Sequence, residues 1–161
     1  MVTKLEQSPV FQDWRSTNKA AFLSSVFIML GEADKGEWMF DYYDKKKNKI
    51  TSFLVSESIK LNPESEVFRS GKEIKEVNLK DVKISFERVL ELSSDFCKRH
   101  FPQETLEKTI AILQNLELGQ VWNITYITLA YKTINLKISS STGDVLKHGL
   151  ISLYDFMPKD K

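Results

Sequence analysis

Apolar and polar positions change their spacing three times along the chain. Phe22, Val26 and Leu30 recur every four residues, a spacing that shares one face of a helix. Ala20 and Ala21 favour that helix and Gly31 is a C-terminal stop, so the pattern predicts a helix over 11–31 after a loosely held arm of residues 1–10. From Glu37 the period drops to two. Trp38, Phe40 and Tyr42 alternate with Met39, Asp41 and Tyr43, and this aromatic alternation predicts a strand over 37–44. Lys45 to Asn48 is a polar turn, and Ile50 to Val55 is the return strand of a hairpin. A third strand is expected at 59–61 or 67–68, and a further short one over 73–79.

The helical spacing returns over 81–118. Phe86, Val89, Leu90, Phe96 and Cys97 form the first stripe. Pro102 interrupts and suits the start of a new helix, whose stripe is Leu106, Ile110, Leu113 and Leu116, ending at Gly119. Alternation then predicts strands over 121–131, 133–139 and 145–154, with a Ser/Thr/Gly/Asp turn over 139–144 and a charged tail over 157–161.

An offset of 84 residues lays Trp38 on Trp122, Tyr42 on Tyr126 and Ile50 on Ile134. The order helix, strands, helix, strands therefore predicts an internal repeat. The expected architecture is α+β: two α-β-β-β units, residues 1–80 and 81–161, each with its helix packed on an antiparallel sheet. A single such unit buries little surface and leaves strand edges unpaired, which gives two copies a reason to join.

The second unit resembles the PepSY domain. The residues that carry the resemblance are Val121-Trp122-Asn123-Ile124-Thr125-Tyr126, Ile134-Asn135-Leu136-Lys137-Ile138 and the turn Ser139-Ser140-Ser141-Thr142-Gly143-Asp144-Val145-Leu146. It covers about residues 85–155, with a weaker echo over 14–70. Ser139 or Ser140 stands where that family carries an acidic residue ahead of Thr-Gly. The resemblance implies a non-catalytic module with an inhibitory or regulatory binding role.

Charge and composition narrow the function. The 161 residues carry a formal charge of +1, which argues against nucleic acid or an anionic membrane surface as partner. With 42% apolar and 28% charged residues the chain is a folded domain. The N-terminus lacks a basic segment followed by an apolar one, and the apolar window 20–30 is shorter than the roughly 20 residues of a membrane span, so a cytoplasmic protein is expected. One cysteine excludes an intrachain disulfide. Cys97 and His100 lie one helical turn apart, the spacing of a nucleophile pair, although a cysteine in an apolar stripe reads first as core. Glu37, Asp41 and Asp44 gather near the hairpin, as a cation or acid–base cluster or as solvated charge beside the lysine turn. No glycine-rich phosphate loop is present, and no cofactor or metal is expected.

Trp14, Tyr43, Tyr131 and His148 are the candidate binding residues, because aromatic side chains off the core face serve as interface anchors. The function expected from these features is a non-catalytic binding or regulatory protein that offers a sheet–helix surface to a protein or peptide, as monomer or homodimer. The alternative is a cystatin-like carrier or small enzyme with a pocket between helix and sheet.

Overall fold

The computed structural model describes residues 1–67 and 71–152. Two short helices open the chain, α1 (Val2–Glu6) and α2 (Pro9–Thr17). Ser8 caps α2 by accepting from the Phe11 N–H, with Pro9 at the first helical position, where its missing N–H costs nothing. Then follow β1 (Phe22–Gly31), the two-residue β2 (Asp34–Lys35), β3 (Trp38–Asp44), β4 (Lys49–Val55) and β5 (Ile59–Glu66). A 3₁₀ turn at Leu79–Asp81 precedes α3 (Phe86–His100), β6 (Leu106–Leu116), β7 (Gly119–Thr128), β8 (Lys132–Ser139) and β9 (Val145–Ser152).

The strands form one antiparallel sheet in the order β5-β4-β3-β1-β6-β7-β8-β9, with β2 paired to β1. This corrects the α+β expectation of two α-β-β-β units: a single nine-stranded antiparallel sheet with three short helices makes up most of the described residues. The helix predicted over 11–31 is helical only as far as Thr17, and the helix predicted after Pro102 is a strand. Residues 22–31 form β1 and residues 106–116 form β6, and these two strands pair with each other at the centre of the sheet. The misreading has a simple cause, since a spacing of four is also an even number. Phe22, Val26 and Leu30 share a face in a strand as well as in a helix. What separates the two readings is the β-branched and aromatic run Val26-Phe27-Ile28, apolar on both faces as in a central strand. Residues 73–79 form no strand of the sheet, whereas 59–66 form one continuous strand. Phe68 of the alternative third strand, the expected continuation of the last strand to Tyr154, and the tail lie outside the described residues.

The helices cover one face. Phe11 and Trp14 of α2 pack on Tyr42 and Phe53, and α3 buries Val89, Ser93 and Cys97 against the other half of the sheet. One row of directly paired residues on this side reads Phe53, Phe40, Val26, Leu113, Trp122 and Ile138, all of them buried. At the seam, Phe86 sits between Trp38 and Trp122, its ring 4.9 and 5.2 Å from theirs. Among the described residues no helix is long and apolar enough to cross a membrane.

Candidate functional site

Alternation along each strand sends the intervening residues to the face that carries no helix. Register sets them in rows. The central row reads Lys60, Leu54, Met39, Phe27, Ile112, Asn123, Lys137 and Lys147, from one edge of the sheet to the other. Beside it, Met29 faces Ile110. Phe27, Met29, Met39, Leu54, Ile110 and Ile112 thus form a contiguous apolar patch over β4, β3, β1 and β6, each side chain only half-buried. The connection from β1 to β3 rises at its rim. There Asp34, Gly36 and Glu37 complete a shallow hollow of about 220 Å³ over Phe27, Met29, Met39 and Leu54. Asp34 is held to Lys108 of β6 at 3.1 Å.

Polar groups border this patch in two ordered sets. On one side the Asp41 carboxylate accepts from Ser25 Oγ at 2.8 Å and from Ser52 Oγ at 2.5 Å. On the other, an amide ladder crosses three strands: Asn123 Nδ2 donates to Gln114 Oε1 at 2.8 Å, and Asn135 Nδ2 donates to Asn123 Oδ1 at 2.7 Å and to Thr125 Oγ1 at 2.9 Å. Lys137 Nζ closes the ladder on Asn135 Oδ1 at 2.8 Å. Partial burial, together with the neighbouring Lys147 and Lys72, pulls the Lys137 ammonium below the usual lysine value. Lys72, Lys75, Lys137 and Lys147 outnumber Glu73 and Glu117 in the cleft on this flank, and a negative charge placed against it is attracted.

The sequence-derived candidates are dispersed by the fold. Trp14 lies within the helix-side aromatic cluster, 5.1 Å from the Phe53 ring and 5.3 Å from Tyr42, and anchors α2 there. Tyr43 belongs to the opposite face but is 4% exposed, with its ring 5.6 Å from Phe22 and its hydroxyl donating to Asn48 Oδ1 at 3.0 Å. Tyr131 is exposed in the β7–β8 turn at φ 55°. His148 is exposed on β9. The patch itself was hidden in the sequence because its central members fall in β1 and β6, the two segments whose spacing also fits a helix. Its signal was the second apolar phase of each segment, Phe27 and Met29 in one and Ile110 and Ile112 in the other.

The other chemical candidates separate as well. Asp41 lies on the uncovered face, whereas Asp44 accepts the backbone N–H groups of Lys46 and Lys47 and shapes the turn. Cys97 turns into the core while His100, one turn on, stacks on Phe96 with ring centroids 3.9 Å apart. Burial pushes the Cys97 thiol up to about 11, the reverse of nucleophile activation. Native protein should therefore react with a disulfide reagent far more slowly than denatured protein. Equal rates would show that Cys97 is accessible.

Comparison of the chain with protein-family models, with curated proteins and with solved structures finds no match.

Proposed function

We propose that the protein is a non-catalytic binding or regulatory module that takes a protein or peptide segment on the uncovered face of its sheet. The observation that carries this is the apolar patch of Phe27, Met29, Met39, Leu54, Ile110 and Ile112, which α1, α2 and α3, packed on the opposite face, leave uncovered. A contiguous apolar surface rimmed by polar groups is the usual mark of an interaction site. The flanks name the partner's chemistry. Lys60 ends the central row on one side and Lys137 and Lys147 end it on the other, so the complementary segment is amphipathic with acidic residues beside its apolar stripe. The row spans eight strands at about 4.8 Å each, roughly the length of a helix of 20 or so residues.

The carrier alternative has one feature in its favour, a cleft of about 650 Å³ between α2 and the connection at 76–80, lined by Glu6, Phe11, Arg15, Tyr42, Val77 and Lys80. Arg15 is already engaged there with the carbonyls of Asn18 and Ala21.

The test is amide NMR titration with a synthetic acidic amphipathic helix and with the same peptide carrying lysine in place of its acidic residues. The acidic peptide should shift amides of β1, β3 and β6, with Phe27→Asp abolishing the effect and the basic peptide binding more weakly. Shifts confined to α2 and 76–80, or none at all, would overturn the assignment.

A further inference from the structure

An open antiparallel sheet ends in two strands whose outer N–H and C=O groups are unpaired, and each edge needs protection against a second chain. Among the described residues β5 and β9 are the two edges of this sheet, and they differ sharply. β5 contains Pro63, which has no N–H to offer, together with Lys60, Glu64 and Glu66, and Glu64 is paired with Lys49 at 3.4 Å. β9 reads Val-Leu-Lys-His-Gly-Leu-Ile-Ser, with a single charged residue. Its Leu146, Leu150 and Ile151 are 45%, 39% and 46% exposed. At the 84-residue offset that lays Trp38 on Trp122, Pro63 corresponds to Lys147, Glu64 to His148 and Glu66 to Leu150. The proline and both glutamates that blunt β5 are thus missing from their counterparts, and Lys147 with a bulge at Leu146 is what protects β9.

We propose that β9 is a self-association edge, and that two copies of the chain pair β9 to β9 in antiparallel fashion about a two-fold axis at His148. Antiparallel pairing about a two-fold axis matches residues of like orientation, so the axis passes through one residue. An axis at Lys147 would oppose two ammonium groups. An axis at His148 sets Lys147 against Gly149 and Leu146 against Leu150 of the second copy, twice over, and keeps the two Lys147 side chains apart. A bulge at Leu146, between the Lys147–Lys137 and Val145–Ile138 pairs, ends that ladder, because it turns Val145 to the face opposite Ile151. His148 pairs with Leu136 and so points to the helix side, where the Phe96 ring lies 5.0 Å away, His100 6.0 Å and Phe101 6.4 Å. This aromatic shelf reaches the edge and would pack beside its symmetry mate. The central β1–β6 pair joins the two halves of the chain by the same antiparallel contact.

Light scattering and sedimentation across a dilution series of the full chain test the proposal. The wild type should show twice the chain mass at the upper concentrations, and Leu150→Lys and Ile151→Lys should each return the single-chain mass. Both positions are exposed, so circular dichroism should be unchanged. Leu61→Lys, on the opposite edge, should leave the dimer intact. His148→Cys should form a disulfide-linked dimer under mild oxidation, whereas Thr133→Cys should not. A single-chain mass for the wild type throughout, a dimer indifferent to Leu150→Lys, or one broken by Leu61→Lys would overturn it.

Discussion

Phe53→Ala lowers stability by about 3–5 kcal/mol, the range for removing a large buried aromatic side chain. Phe53 is 0% exposed and makes ring contacts with Phe11 at 5.3 Å, Trp14 at 5.1 Å and Tyr42 at 5.8 Å. Two of these partners belong to α2, so the substitution opens a cavity and also loosens the helix from the sheet. Aromatic pairs of this geometry contribute roughly 0.5–1.5 kcal/mol beyond their buried area. For a chain of this size, 1 kcal/mol moves the melting temperature by about 2–4 °C, so the expected drop is roughly 6–20 °C by calorimetry. The neighbouring residue supplies the control. Leu54 points to the uncovered face and is half-buried, so Leu54→Ala should have a clearly smaller effect. Equal losses for the two would mean that both faces are covered, and the proposed binding surface would go with that result.

Ser93→Ala costs about 1–3 kcal/mol through one orphaned hydroxyl. Ser93 Oγ lies 3.0 Å from the Leu90 carbonyl oxygen and 2.5 Å from Tyr126 Oη. The serine has one proton, which goes to the carbonyl, so Tyr126 must donate to Ser93. Alanine at 93 leaves that phenol buried without an acceptor. Tyr126→Phe removes the donor while Ser93 keeps its bond to Leu90, so its effect is smaller, near 1 kcal/mol. The double variant should be more stable than the sum of the single losses predicts, as urea denaturation of all four proteins would show. Additive losses would mean that the two hydroxyls do not share a bond.

The same core makes the fold sensitive to alkali. Burial raises the Tyr126 phenol above its ordinary value, Tyr42 to about 12 and Cys97 to about 11. In the folded chain these groups hold their protons to higher pH than in the unfolded chain. Their contribution is complete below the ordinary values of 9.0 and 10.0 and falls away as pH rises towards the folded ones. Stability should therefore decline from about pH 9 upwards, and Tyr126→Phe should flatten that decline.

Much of the local structure is legible in the residues themselves. The hairpin of β3 and β4 follows from the aromatic alternation 38–43 around a polar turn. The inner face of α3 follows from Val89 and Cys97, whereas its start lies at Phe86, capped by Ser85, and not at the expected 81. The strands β7 and β8 follow from their period of two. Phe40, Tyr42, Trp122 and Tyr126 share a buried face, as their alternation requires. Trp14 illustrates the limit of such reasoning. Nothing local distinguishes an exposed anchor from a wedge between a helix and Phe53, because the partner rings Tyr42 and Phe53 lie 28 and 39 positions away in the chain.

By itself, then, the order of residues determined which segments alternate, where the turns fall and which aromatic positions are buried together. Only the tertiary structure decided that 22–31 and 106–116 are strands and that their pairing merges everything into one sheet. The physical reason is that both segments are apolar in two phases, so their backbone hydrogen bonds can close locally in a helix or across strands. The choice falls to the sheet, which satisfies both strands at once, and it leaves Phe27, Met29, Ile110 and Ile112 on a face that no helix among the described residues covers.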